Sequence, residues 1–193
     1  MDFSNFKTQI RKVTDFSEEE CSLFIPYLHR KALTKGEHFL QAGQQVNEIA
    51  FVAKGALRFY YLQDGKEVNN HFFLENDYAV SYLDFLHHTP SRYYIQALEP
   101  CEIITFNADA LQKAYDASKN WERFGRLIAE SVYTIATRRF ESFLFLSAKE
   151  RYLQMLQDFP LFIQRIPLYH LASYLGIERE SLSRIRKELA KDH

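Results

Sequence analysis

The segment Leu168–Lys187 contains the pattern that most limits how the chain can fold. Within it, Ala172 stands four positions before Gly176. Two short helices that cross at a steep angle need such a pair, because the small residue lets the helices touch and the glycine permits the turn. Apolar residues occupy the other contact positions of the motif: Leu171, Leu175, Ile177, Leu182 and Ile185. This spacing predicts a helix-turn-helix, and an ordinary helical hairpin is the alternative.

The second helix of this motif carries polar side chains suited to nucleic acid. They are Arg179, Glu180, Ser181, Ser183, Arg184 and Lys187. Arginine can donate two hydrogen bonds to guanine, and glutamate accepts one from the amino group of cytosine. The net charge of −1 argues against general binding of polyanions. A locally basic face is nevertheless compatible with binding to double-stranded DNA.

Cysteine content and hydropathy exclude several classes of protein. The two cysteines, Cys21 and Cys101, lie far apart, and no Cys-x-x-Cys pair occurs. Neither a zinc site nor a cysteine-ligated iron–sulfur cluster is therefore expected, and we expect no cofactor. No apolar run reaches the length of a signal peptide or a membrane span, so we expect a cytoplasmic protein with no membrane partner.

Residues 31–106 alternate with the two-residue period of β-strands and are punctuated by glycine. Asp64-Gly65 separates Leu57–Leu62 from Lys66–Phe73, and an Asp-Gly pair between such runs predicts a hairpin. A further strand pair is predicted on either side of Glu99-Pro100, at Tyr93–Leu98 and Glu102–Phe106. Together these strands predict an antiparallel roll or barrel.

Helices are predicted on both sides of the β-region. Ser17 and Glu20 form a capping-box pattern near the N-terminus. After Asn107, a short helix is predicted at Ala108–Tyr115 and a long one from about Lys119 to Leu146. The long helix has an apolar stripe with three- and four-residue steps: Trp121, Phe124, Ile128, Ser131 and Ile135. We expect this stripe to form a homodimer interface, and a helix that only crosses its own domain is the alternative.

The order of β-region, long helix and helix-turn-helix resembles the Crp/Fnr family of transcription regulators. In the β-region the resemblance rests on Lys35-Gly36-Glu37, Ala42-Gly43, Phe51-Val52, Gly55-Ala56-Leu57-Arg58 and Asp64-Gly65-Lys66-Glu67. Near the C-terminus it rests on Ile177–Arg184, which is similar to the family pattern Arg-Glu-Thr-Val-x-Arg. The resemblance implies an α+β fold with an antiparallel β-roll of the cyclic-nucleotide-binding type (a double-stranded β-helix), a long dimerisation helix and a C-terminal winged helix-turn-helix.

The resemblance also implies a division of the chain and a mode of action. Residues 1–117 would form the sensor roll with flanking helices, residues 118–146 the dimerisation helix, and residues 147–193 the DNA-binding domain. Arg179, Glu180 and Arg184 would read base edges, and Ser181 would bind a phosphate or a base. A homodimer would place two recognition helices about 34 Å apart on a palindromic operator. RNA polymerase and a small-molecule effector are candidate partners.

The pocket that holds cyclic nucleotides in this family departs from the pattern here. Counting back without gaps from Ala97, Val80 and Ser81 replace the family's glycine–glutamate pair, and Ser91 replaces its arginine. Arg92 lies one residue late, which on a strand reverses the direction of its side chain. The candidate pocket residues are Ser81, Tyr82, Ser91 and Arg92. We therefore expect no response to cyclic AMP and a roll filled by its own aromatic rings.

Three alternatives remain for the roll. A loop slip could return Arg92 to the phosphate, giving a regulator that binds cyclic AMP or cyclic GMP through a modified pocket. An apolar or aromatic ligand could replace the nucleotide. An enzyme on a cupin-like roll would need two histidines and a carboxylate as metal ligands, whereas the strands supply only His38 and His71 without a matching acid. We therefore expect no enzymatic activity.

Overall fold

The computed structural model describes residues 3–190, so the outermost residues of the predicted first and last domains lie outside the described part of the chain. The fold begins with helices α1 (Ser4–Val13) and α2 (Glu18–Phe24), followed by a 3-10 turn at Ile25–Tyr27. The predicted capping box is confirmed at the start of α2. The backbone N–H of Glu20 donates to Ser17 Oγ at 3.1 Å, and the N–H of Ser17 donates to the Glu20 carboxylate at 2.9 Å.

The middle of the chain forms the predicted antiparallel roll. Its strands are β1 (His29–Leu33), β2 (His38–Leu40), β3 (Glu48–Lys54), β4 (Leu57–Gln63), β5 (Lys66–Phe73), β6 (Tyr78–Ala79), β7 (Tyr94–Ala97) and β8 (Cys101–Asn107). A short helix, α3 (Tyr82–His87), connects β6 to β7. The strands form two four-stranded sheets, ordered β1-β8-β3-β6 and β2-β7-β4-β5.

The hairpin between β4 and β5 is confirmed, but the second predicted strand pair is wrong. Asp64 and Gly65 have φ values of 50° and 76°, which are the two positive angles that a tight two-residue hairpin turn needs. By contrast, β7 pairs with β2 and β4, whereas β8 pairs with β1 and β3. The chain changes sheets at Glu99-Pro100, because both strands find their partners among distant segments rather than in each other.

Helices make up the remainder of the described chain. They are α4 (Ala108–Ala117), α5 (Lys119–Phe145), α6 (Ala148–Asp158), α7 (Phe162–Arg165), α8 (Leu168–Leu175) and α9 (Arg179–Leu189). The predicted order of helices is confirmed, and Asn107 caps α4 by accepting from the N–H of Ala110 at 2.9 Å. No strand occurs in residues 108–190, so the expected wing is wrong for this part of the chain. The linker to α8 instead forms α7, whose Phe162 is buried.

The first hydrophobic core fills the roll and includes the start of α5. Trp121 is 0% exposed, and its ring centroid lies 4.5 Å from that of Phe24 and 4.6 Å from that of Phe16. Its indole N–H donates to the carbonyl oxygen of Glu20 at 3.1 Å. Phe124 is buried beside it. The prediction that Trp121 and Phe124 form a dimer interface is therefore wrong, because α2 and the roll of the same chain already cover them.

A second core joins the C-terminal helices to the roll. Leu171, Leu175 and Leu182 of α8 and α9 share this core with Phe72 and Leu74 of the roll. Successive strand residues point to opposite faces, and Phe72 faces the helices whereas Phe73 belongs to the first core. The helix-turn-helix is thus packed on the outer face of the sheet that contains β4 and β5.

Candidate nucleic-acid interface and ligand cavity

The helix-turn-helix is built as its sequence predicts. Leu171, Ala172, Leu175 and Leu182 are buried between α8 and α9. Gly176 ends α8 with a φ of 66°, a left-handed conformation that suits glycine at a helix C-terminus. The N–H of the next residue, at position 177, donates to the carbonyl oxygen of Ala172 at 3.0 Å. The two helices are therefore held at a fixed angle by a buried apolar wedge.

The exposed face of α9 carries the predicted DNA-contacting side chains. Arg179, Glu180, Arg184 and Lys187 are exposed, and Ser181 and Ser183 are half-buried beside them. Arg184 Nη2 lies 3.2 Å from Ser181 Oγ, which accepts its hydrogen bond. Within residues 3–190, none of the three cations on this face forms an ion pair, although the nearby Glu188 pairs with Lys149 at 2.6 Å. These cations are free to bind phosphates or base edges.

A buried polar cluster holds α8 against the roll. Arg58, on β4, is buried and forms an ion pair with Glu67. The Asn69 side chain donates to His170 Nδ1 at 3.2 Å. Burial and the nearby Arg58 guanidinium lower the pKa of His170 to about 4. The imidazole is therefore neutral near pH 7 and accepts this hydrogen bond.

Two further side chains bridge the roll and the C-terminal helices. Ser173 Oγ accepts from the N–H of Asn69 at 3.0 Å and donates to the carbonyl oxygen of Glu67 at 3.1 Å. Arg139 of α5 donates to Asn70 Oδ1 at 3.0 Å and to the carbonyl oxygens of Asn69 and Tyr174 at 3.1 and 2.9 Å. These contacts are not apparent from the sequence. Alternation along β4 and β5 indicates which residues share a face, but no pattern shows that a distant helix covers that face.

A cavity of about 760 Å³ lies between the roll and the second half of α5. Its walls include Phe59, Phe73, Val80, Ile128, Ser131 and Ile135. The expectation that aromatic rings fill the roll is therefore wrong, because this space remains open beside them. Ile128, Ser131 and Ile135 line this cavity, and their part in a dimer interface stays a prediction.

The predicted pocket residues are mostly outside this cavity. Only Tyr82 lines it. Ser81 is buried and donates to Asp84 Oδ2 at 2.6 Å, and Ser91 Oγ accepts from the N–H of Tyr93 at 3.0 Å. Arg92 is exposed. The prediction is wrong for these three residues, because local hydrogen bonds satisfy the two hydroxyls and the guanidinium lies outside the cavity wall.

Comparison with known proteins agrees with this architecture. Residues 30–118 match the family model of the cyclic nucleotide-binding domain. FixK2 from Bradyrhizobium japonicum is similar with a TM-score of 0.74 at 18% identity, covering 86% of this chain and 85% of that protein. A CooA mutant from Carboxydothermus hydrogenoformans gives 0.71 at 15% identity, with 95% and 83% covered. A putative Crp/Fnr-family regulator from Eubacterium rectale gives 0.68 at 17% identity, with 92% and 85% covered.

The middle of the chain is similar to cyclic nucleotide-binding domains. The chain as a whole has the fold of the Crp/Fnr-type transcription regulators, which confirms the resemblance inferred from the sequence. Among curated proteins the sequence has no significant match. Within the described residues, no helix combines the length and the apolar character needed to cross a membrane.

Proposed function

We propose that the protein is a sequence-specific, DNA-binding transcription regulator that acts as a homodimer on a palindromic operator. The observation that carries this proposal is the exposed face of α9, which projects from a helix fixed by a buried core. Among residues 3–190, Arg179, Glu180 and Arg184 of this face have no ion-pair partner. Arginine and glutamate side chains on a helix can distinguish base pairs in the major groove. The similarity of the fold to transcription regulators supports the same conclusion.

Selection of DNA from a random pool tests this function. We expect the purified protein to enrich one sequence, arranged as two inverted half-sites whose centres lie about 10 base pairs apart, because a two-fold dimer presents two recognition helices. Sequencing of the retained DNA provides the measurement. A pool that remains random would contradict sequence-specific binding. Enrichment of a single, unrepeated half-site would contradict the homodimer on a palindrome.

The homodimer is proposed to form through a different stripe of α5 from the one predicted. Tyr133, Phe140 and Leu144 are 72%, 65% and 58% exposed, and with Thr137 they recur in steps of four, three and four residues. This is the spacing with which two long helices pack side by side. The stripe is left uncovered by its own chain, and a second copy of α5 supplies a matching surface through two-fold symmetry.

Replacing Phe140 with glutamate tests this interface. Phe140→Glu is expected to weaken the dimer about 100-fold or more, since symmetry would bring two like charges into an apolar contact at a cost of several kcal/mol. Sedimentation velocity over a range of protein concentrations measures the change. Arg123→Glu is the matched control, because Arg123 is exposed on the same helix outside the stripe. A Phe140→Glu protein that remains as dimeric as the control would show that the interface lies elsewhere.

The regulator is proposed not to respond to cyclic AMP. Titration calorimetry is expected to detect no micromolar binding, because Ser81 and Ser91 replace the carboxylate and guanidinium that would offset the cost of burying the ribose and the phosphate. The alternative is a regulator that binds cyclic AMP or cyclic GMP through a modified pocket. Micromolar binding accompanied by tighter DNA affinity would favour that alternative.

A further inference from the structure

Arg139 is a half-buried cation whose guanidinium carbon lies 4.0 Å from the ring centroid of Tyr174 and 5.1 Å from that of Phe143. Its three hydrogen-bond acceptors are the side-chain oxygen of Asn70 and the carbonyl oxygens of Asn69 and Tyr174, all of them neutral. No carboxylate within residues 3–190 forms an ion pair with it. Burial lowers the pKa of Arg139, and the neighbouring Tyr174 opposes this shift in part. A guanidinium in this setting is stabilised by any anion that reaches it.

The space around Arg139 is open and positively charged. Arg139 lines the 760 Å³ cavity and also a smaller cavity of about 210 Å³. Lys12 and Arg139 are the cations of the large cavity, and Asp77 is its one carboxylate among the described residues. Asp77 accepts from the N–H of Leu74 at 2.8 Å and pairs with neither cation. In the small cavity, Arg138 and Arg151 join Arg139 against a single acid, Asp158. Cations therefore outnumber acids on both sides of Arg139.

The remaining walls of the large cavity are mainly hydrophobic. Phe59, Phe73, Val80 and Ile128 contribute rings and aliphatic chains. The volume lies within the range of small-molecule sites, which combine apolar walls with a few polar groups that fix orientation. A ligand with many hydroxyl groups would lose hydrogen bonds to water in such a space without regaining them.

We propose that the large cavity binds a carboxylate with a hydrocarbon body, and that its carboxylate group pairs with Arg139. The hydrocarbon body packs against the rings of the roll and the apolar side of α5. The carboxylate supplies the negative charge that Arg139 lacks, and it accepts from Nη1, because Nε and Nη2 already donate to Asn70, Asn69 and Tyr174. This proposal concerns the cavity alone and holds whether or not α9 binds DNA.

Matched pairs of charged and uncharged probes test the proposal on the full chain. Titration calorimetry would compare decanoate with 1-decanol, and 2-naphthoate with 2-naphthol. We expect at least one acid to bind ten-fold or more tightly than its alcohol, and Arg139→Gln to remove that advantage. Arg123→Gln is the matched control, because Arg123 is exposed and does not line the cavity. Equal binding of acid and alcohol in both pairs, or no binding of either acid at 1 mM, would overturn the proposal.

Arg139 also holds α8 through its hydrogen bonds, so its replacement could weaken binding by disturbing the fold. A second variant distinguishes this effect from the loss of the cavity. Ser131 is exposed on α5 and lines the cavity. Ser131→Trp fills part of the space without removing any charge, so it is expected to weaken binding of the preferred acid at least ten-fold. Circular dichroism would verify that the variant is folded. Unchanged affinity in folded Ser131→Trp protein would show that the acid binds outside this cavity.

Discussion

Arg184→Ala is expected to abolish specific operator binding while leaving the dimer intact. Arg184 is exposed on α9, and its nearest described partner is the neutral hydroxyl of Ser181. A two-point contact between arginine and guanine contributes about 1–3 kcal/mol of discrimination. A dimer would lose this contact twice, about 2–6 kcal/mol, so we expect specific affinity to fall by a factor of roughly 30 to 20,000. A gel shift at fixed salt, with the selected operator as probe, measures the loss.

Two comparisons make the Arg184 result specific. Arg123→Ala removes an exposed arginine from α5, away from α9, and is expected to retain operator affinity. Affinity for unrelated DNA should fall much less than operator affinity, because non-specific binding depends on phosphate contacts spread over many residues. Sedimentation velocity should give the same dimer for the variant as for the wild type. Unchanged operator affinity in Arg184→Ala would contradict the proposed role of α9.

Features controlled by neighbours in the sequence were predictable. The hairpin at Asp64-Gly65 follows from the two positive φ angles that this pair accepts readily. The turn between α8 and α9 follows from Gly176, and the capping box from Ser17 and Glu20. Each of these depends on a few adjacent residues whose conformational preferences are strong. The helix-turn-helix was therefore visible in the sequence, and its proposed contacts with DNA stay predictions.

Features that depend on distant partners were not predictable. The two-residue period located β7 and β8. It could not show which strands pair with them, because those strands lie far away in the sequence. The cluster of Arg58, Asn69 and His170 forms because α8 packs on β4 and β5, which lie more than 90 residues earlier in the chain. Burial of Arg58 could not be anticipated, since an arginine on a strand ordinarily faces solvent. The cavity was not predictable either. One of its walls is the second half of α5, and the sequence does not show that this helix lies beside the roll.

In the long helix α5, too, the sequence does not show which side chains are covered by the rest of the chain. Helical periodicity identifies residues that share a face, but not the neighbour that covers the face. On α5, Trp121 and Phe124 lie in the core of the same chain, whereas Tyr133 and Phe140 are uncovered. Both sets are apolar and recur at three- and four-residue steps, so only the packing of α2 and the roll distinguishes them.

Trp121→Ala is accordingly expected to destabilise the folded chain rather than to separate two folded subunits. Removing a fully buried tryptophan costs about 3–5 kcal/mol, through lost burial and the cavity that remains. The loss is increased here because the indole packs against Phe16 and Phe24 and donates to the carbonyl oxygen of Glu20. Urea unfolding followed by circular dichroism gives the change in free energy of unfolding. Fluorescence is unsuitable, since Trp121 is the single tryptophan of the chain.

Leu83→Ala provides the matched control for this experiment. Leu83 is a large apolar residue that is 68% exposed on α3, so its truncation is expected to change the free energy of unfolding by no more than about 0.5 kcal/mol. Trp121→Ala protein that unfolds at the wild-type urea concentration, but sediments as a monomer, would place Trp121 in the dimer interface after all. A large loss of stability would instead confirm that the start of α5 belongs to the core of its own chain, and that a homodimer must use the part of the helix beyond it.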